Sequence, residues 1–393
     1  MSTTTSVPLG ELMAVRTTTV NPANFPDEVF DLYSIPAFDS KEPELVLGGT
    51  IGSPKQVVQP GDILLSKIVP HIRRCWIVSQ SRGKRMIASG EWIVFRTSSV
   101  DSNYLRQLLL GDQFHAQYMN TVAGVGGSLL RARPNFVAQI KVPIPALSKQ
   151  QRIAQVLDSV DALRAKRREA ILLLDDLVQS TFLDMFGNFA NLTQSWPTRS
   201  LSTVAKQIND CPHSTPKWTD NGLICLRTSN LLHGEWNWAD TRYVSEQTFN
   251  ERSKRGPIEP GDIILSREGT VGIAAIVEQG MRLCMGQRLV QVRANTEIVS
   301  ANFLLQYLLQ ILRPERISHY MLGSTSQHLN VRDLKNLMIP LPPVELQEEF
   351  DARLTKIISL KQIHRTHLAE LDALFASLQD RAFRGEIWDT PAS

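Results

Sequence analysis

The chain has 393 residues, 42% hydrophobic and 21% charged, with a formal net charge of +3. At roughly 150 residues per domain, this length suits about two globular domains plus extended helices, and so mild a charge means that any nucleic-acid surface must come from local patches. The longest apolar runs, such as Ile171 to Leu174, fall far short of the ~20 residues a bilayer requires, and the first residues, MSTTTSVPLG, lack the features of a signal peptide. Cys75, Cys211, Cys225 and Cys284 form no C-x-x-C pair, which predicts a cytoplasmic protein without membrane contact, disulfide framework or metal site.

The first segment, residues 1–146, mixes short β-rich runs (Ile63 to Leu65, Trp76 to Val78, Trp92 to Phe95) with turn signals. A helix is predicted from Asn103 to Met119, capped by Asp101 or Ser102, its apolar stripe covering the strands to give an α+β domain. The segment leaves through Val125 to Ser128 and then Val142-Pro143-Ile144-Pro145, where proline holds the chain extended.

Residues 147–187 read as one long helix with no Gly or Pro between Lys149 and Phe186. Apolar positions at Ile153, Val156, Val160, Leu163, Ala170, Leu174 and Leu177 predict a narrow seam that needs a partner. The same pattern returns 197 residues later in Glu345 to Phe383, with a seam at Phe350, Ile357, Leu360, Leu371, Leu374 and Leu378. An antiparallel pairing would relate the copies by an approximate two-fold axis, and a helix ~57 Å long would act as a stiff spacer. Arg167 and His364 interrupt the two seams at their middles and are predicted to set register rather than bind metal; His367 follows one step later.

The second segment, residues 188–343, repeats the first. PGDILLSK at Pro60 is matched by PGDIILSR at Pro260, and each is followed by a Leu-rich helix. Pro143 pairs with Pro340, Gln150 with Gln347, and Leu174-Asp175 with Leu371-Asp372. A second long helix (344–385) and a tail (386–393) complete an order of globule, helix, globule, helix.

Basic residues gather in corresponding loops of the two globules. Lys67, His71, Arg73, Arg74, Arg82, Lys84 and Arg85 lie close to a single acid in sequence, Asp62; Arg252, Lys254, Arg255, Arg267, Arg282 and Arg288 fill the equivalent stretch. Two such faces suit phosphate backbones, which supply most of the affinity for DNA. Arg227, Ser229 and Asn230, together with Gln327 and His328, offer donors and acceptors able to reach base edges from turn-like loops. Catalytic signatures are sparse. Gly48 to Lys55 lacks the Gly-Lys-hydroxyl of a phosphate-binding loop, and Pro342-Pro343 is flanked by Leu341 and Val344 rather than by the polar and aromatic residues of an amino-methyltransferase. Asp27, Asp39 and Lys41 match a nuclease pattern only formally.

The duplication, the PGDI-[LI]-LS-[KR] turn, Leu226 to Asn230, the Gly-Ser-Thr-Ser-Gln-His-Leu-Asn loop at Gly323 to Asn330 and the Pro-x-Pro entry into a Gln-containing helix resemble the specificity subunit of Type I restriction-modification enzymes. The resemblance covers nearly the whole chain, although residues 127–132 of the first globule depart from the loop of the second. It implies two target-recognition domains, each reading half of a split duplex DNA site, and helices that space the halves and dock modification subunits, two of them expected. It also implies a non-catalytic chain without its own cofactor: S-adenosylmethionine, ATP and Mg would serve the modification and restriction subunits. The rival readings are a stand-alone metal-dependent nuclease and a coiled-coil scaffold for proteins.

Overall fold

The computed structural model describes residues 5–14, 17–124, 130–189, 191–313, 316, 321–322 and 328–387. Gln327, residues 323–326, the exit at 125–128 and the tail after 387 lie outside the described residues. The chain divides into two compact units, residues 1–168 with 365–393, and residues 169–364. Both long helices are shared between the units, so each unit holds one recognition domain and half of each helix.

In the first unit, strands β1 (Ile63–Ser66), β2 (Cys75–Ile77) and β3 (Trp92–Phe95) form an antiparallel sheet in the order β2-β1-β3. A five-stranded sheet beside it contains the parallel pair Val29–Tyr33 and Arg85–Ala88. Helix α1 (Ser102–Leu110) starts where the Asp101 carboxylate accepts the Tyr104 amide, as predicted, but stops at Gly111 with extended backbone, and a second helix covers Asp112–Met119. The single predicted helix is thus two, interrupted at Gly111, where a Cβ would lie 3.2 Å from the Leu108 carbonyl.

The long helix α2 (Leu147–Phe186) leads into the second unit. There β4 (Ile263–Ser266), β5 (Ala274–Ile276) and β6 (Leu289–Ala294) repeat β1 to β3, with Ala205–Asp210 as an added edge strand. The parallel pair also recurs, as Leu223–Leu226 with Leu283–Met285. Helix α3 (Ala301–Ile311), capped by Ser300, repeats α1, and α4 (Val344–Phe383) repeats α2. In each unit a two-stranded ladder joins the start of the domain to the Pro-x-Pro segment before the long helix, Thr5–Pro8 with Lys141–Ile144 and Thr198–Ser200 with Met338–Pro340.

The duplicated motifs build the same contacts twice. In PGDI, Gly61 and Gly261 take φ of 86° and 89°, the left-handed turn that favours glycine. The aspartate that follows is buried: Asp62 accepts the Gln59 amide and two bonds from Arg96 at 2.8 and 2.6 Å. Asp262 does the same with Glu259 and Arg293 (2.7 and 2.9 Å), and also accepts from Gln291 at 2.6 Å. Gln150 and Gln347, both buried at the start of a long helix, repeat a second device. Gln150 accepts the Asp101 amide and donates to the Pro145 carbonyl; Gln347 accepts the Ser300 amide and donates to the Pro342 carbonyl. Each glutamine therefore fixes the entry of a long helix to the cap of the domain's own helix.

Within each unit the helix halves run antiparallel. In the first, Ile153, Ala154 and Leu157 share a core with Ala382, Phe383 and Ile387, while Arg164 meets Asp372. In the second, Phe182 and Phe186 pack on Phe350 and Leu354, while Asp175 meets Lys361. The expected seam is corrected in phase. Ile153, Val160 and Leu174, with Phe350, are buried, and Ile357, Leu371 and Leu378 are half-buried, but Leu163, Leu177, Leu360 and Leu374 are exposed and Val156 is only partly covered. Ala170 is half-buried beside the seam rather than in it. The alternate positions are Leu157, Arg164, Ile171 and Val178, and Leu354, Lys361, Leu368 and Phe375, one residue further along. A search for apolar residues alone steps over Arg164 and Lys361, because it cannot know that each is paired. We expect Leu157→Ala to cost about 2–3 kcal/mol and Leu163→Ala less than about 0.5 kcal/mol in urea unfolding; equal costs would restore the phase read from the sequence.

All four cysteines are buried and free, and burial pushes the Cys75 thiol up to about 12, away from reactive thiolate chemistry.

Candidate nucleic-acid interface

The strand that carries LLS-[KR] ends in a turn, and this turn gathers charge in both units. In the second, the Arg267 amide donates to the Arg288 carbonyl, the Leu329 amide donates to the Arg267 carbonyl, and Glu268 bridges to His328. Arg288, with its side chain 61% exposed, lies 3.6 Å from Glu268, and its φ of 68° is a left-handed value unusual for a non-glycine residue. Beneath them Arg267 is 7% exposed and bonded to Asp210 at 3.0 Å and Glu268 at 3.1 Å. His213, largely exposed, lies 3.3 Å from Asp210 on the same rim.

The first unit makes the same arrangement with different residues. Lys67 donates its amide to the Glu91 carbonyl, its own carbonyl accepts the Ala132 amide, and Ile68 bridges to Arg131. Arg131 thus stands where His328 stands, 197 residues away, and its guanidinium reaches Glu91 at 3.2 Å. Alignment of the copies at 197 residues sets Arg131 opposite His328, but the departure of residues 127–132 from the second loop keeps Arg131 out of the predicted contacts.

Several predicted contacts belong to the framework instead. Asn230 is fully buried, accepting the Arg227 amide and donating to the carbonyls of Asn237 and Asp240. Arg252, 7% exposed, is used up by the carbonyls of Met285, Ser214 and Pro212. Arg267 is likewise held from below, so these three are corrected from surface contacts to supports. Other cations are neutralised by distant acids: Arg73 by Asp112 (2.5 Å), Arg82 by Asp31 (3.8 Å), Arg85 by Glu28 (3.5 Å) and Arg227 by Asp240. Lys254 and Arg255 are exposed after the helix Glu246–Ser253, Ser229 is exposed at a turn tip, and Lys84, Arg74 and Lys67 are half-buried. Arg282, another cation of the predicted face, reaches Glu246 at 3.9 Å.

The helix halves carry their own duplicated charge pair. Arg164 donates to Asp372 at 2.6 Å in the first unit; Lys361 binds Asp175 in the second, and each residue is the counterpart of the other pair's member at a displacement of 197. Lys361, almost wholly buried, also binds Glu235 of its recognition domain, tying that domain to the helix pair. Arg167 and His364, the predicted interruptions, are half-buried one step away. Asp39 and Lys41 lie in and after a short 3-10 turn, Pro36–Ser40, not on a strand, and among the described residues no three His, Cys, Asp or Glu side chains gather as a metal site.

The family model for the Type I restriction modification DNA specificity domain matches residues 3–173 and again 209–373. The chain belongs to this family. Both matches fall on the duplicated units. Among curated relatives, the chain is 21% identical over 265 residues to the MjaVIII specificity subunit of Methanocaldococcus jannaschii, covering 63% of this chain and 62% of that protein. It is 23% identical over 297 residues to the EcoKI specificity subunit of Escherichia coli strain K12, covering 69% of this chain and 63% of that protein. The chain therefore spans less than two thirds of the length of these relatives. Among solved structures, a chain from a study of type I R-M assembly and conformational transition aligns at 24% identity and a TM-score of 0.55, over 98% of both chains. The S subunit from M. genitalium aligns at 10% identity and a TM-score of 0.58, over 97% of this chain and 96% of that one. These alignments bear on the fold, and they agree with two α+β domains and paired long helices. Among the described residues no helix is long and apolar enough to cross a membrane.

Proposed function

We propose that this chain is the non-catalytic DNA-recognition subunit of a Type I restriction-modification enzyme, each recognition domain reading one half of a split duplex site. The observation that carries the reading is that the family match occurs twice, once on each copy of a domain whose charged turn is built in the same way. In this reading the exposed cations around each turn, Arg131 in the first unit and Arg288 in the second, hold the phosphate backbone, while Ser229 and His328 reach toward bases. The long helices space the half-sites and dock two modification subunits, and restriction subunits join that assembly. Methyl transfer from S-adenosylmethionine, and ATP- and Mg-dependent cleavage, belong to those partners.

The test is a domain exchange. Replacing residues 198–340 with the same segment of a relative of different specificity should change one half of the methylated site in the assembled complex and leave the other; a change in both halves, or in neither, sinks the reading. In parallel, Arg131→Ala and Arg288→Ala should each weaken binding to specific and unrelated duplexes alike and lower the salt slope by about 1. Loss confined to one sequence would instead make them base readers.

A further inference from the structure

A cavity of about 300 Å³ opens in the first unit between the 3-10 turn Pro36–Ser40, strand β2 and helix α1, lined by Phe38, Lys41, Cys75, Trp76, Ile77, Asn103 and Arg106. Lys41 and Arg106 line it, and Arg74 lies close enough to act on Lys41. Lys41 takes φ of 60°, a left-handed value that costs energy for a side-chain-bearing residue, and its ammonium lies 3.1 Å from the Phe38 ring centre with no carboxylate bonded to it among the described residues. Arg106 spends one nitrogen on Asp158, and Arg74, next to Cys75, forms no ion pair among the described residues; each has a buried Nε–H without an acceptor. Burial holds the Lys41 ammonium below its ordinary value; Arg106 and Arg74 push the same way, against Asp39 and Asp161. Cations with unused donors therefore stand beside an aromatic wall, with Asp39, Asp158 and Asp161 nearby.

The fold does not require this chemistry. Strand pairing matches Leu64 with Trp76 in the first unit and Ile264 with Ala275 in the second, and the cap positions Asp101 and Ser300 align the two helices. By this correspondence Arg74, Trp76 and Arg106 become Ile273, Ala275 and Leu305 in a domain that folds in the same way.

We propose that the cavity is a binding site for a nucleoside phosphate, the base lying along Phe38 and Trp76 and the phosphate drawing Lys41, Arg106 and Arg74 to itself. The volume lies at the lower limit of ordinary ligand sites, which suits one nucleotide and not a dinucleotide. Charge-assisted bonds to phosphate are stronger than the contact of Lys41 with the Phe38 ring, so the lysine has reason to turn toward the ligand. This site adjoins the charged turn, the Arg74 carbonyl accepting the Ser66 amide next to Lys67, but binding of a free nucleotide there does not depend on the proposed function.

The experiment is calorimetric titration of the full chain with dAMP, deoxyadenosine and inorganic phosphate. We expect dAMP to bind at least tenfold more tightly than either fragment. Arg106→Leu, which installs the side chain found at the equivalent position of the second domain, and Lys41→Met, which breaks no ion pair, should each weaken dAMP at least tenfold, Lys41→Met with an unchanged thermal melt. A duplex oligonucleotide that competes with dAMP assigns the nucleotide to a DNA strand, and a duplex that does not compete assigns it to the free pool. Absence of dAMP binding at millimolar concentration, phosphate binding as tight as dAMP, or affinity unaltered in Lys41→Met overturns the proposal.

Discussion

Replacing Phe182 by alanine will destabilise the second unit by about 3–5 kcal/mol, the range for emptying a large aromatic from a closed core. Phe182 is fully buried where α2, α3 and α4 converge. Its ring stacks on Phe189 at 4.7 Å and Phe303 at 5.4 Å and meets Phe350 edge-on at 5.6 Å. Those three partners come from the loop after α2, from α3 and from α4, so the void would loosen the recognition domain and the helix halves together. Hydrogen exchange of the assembled chain should show lost protection throughout residues 169–364 and little change in residues 17–124. A cost below about 1 kcal/mol would mean that the cluster collapses around the gap and is not the keystone of that unit.

Asp262→Ala is expected to cost about 2–4 kcal/mol, because it takes a buried acceptor from the Glu259 amide, Gln291 and Arg293, although Arg293 keeps Glu259 at 2.8 Å. Asp262 is 1% exposed and receives Arg293 through two bonds as well as Gln291. The double variant Asp262→Ala with Arg293→Met should cost less than the sum of the two single changes, since each single change already removes the same two bonds. If the double variant is as unstable as the sum of the single changes, the pair is not coupled and the aspartate acts only by holding the Glu259 amide in the turn. The same comparison at Asp62 and Arg96 should give a similar pattern, because the first copy uses the same geometry.

The predicted charge faces illustrate why a count along the chain misleads. Between Lys67 and Arg85 the sequence holds many cations and almost no acids, yet Asp112, Asp31 and Glu28 arrive from other elements and neutralise three of the arginines. Arg252 and Arg267 are charged residues in a polar stretch, and nothing local distinguishes them from solvated ones; their burial depends on carbonyls and carboxylates supplied by the fold. The helix seam fails for a related reason. Arg164 and Lys361 occupy seam positions because Asp372 and Asp175 lie opposite them, and a one-residue choice between Leu163 and Arg164 cannot be made without the opposing helix.

What the sequence determined by itself was what repeats: two α+β domains, two long helices, the glycine-aspartate turn and the glutamine at each helix entry. These follow from periodicity, from φ values that few residues adopt, and from the same residues returning after 197 positions. Tertiary structure alone decided which polar residues are surface and which are support, because a buried charge is tolerated only beside a partner that lies far away in the chain. It also decided the phase of the helix seam, since a side chain on a helix is inside or outside only with respect to the element packed against it.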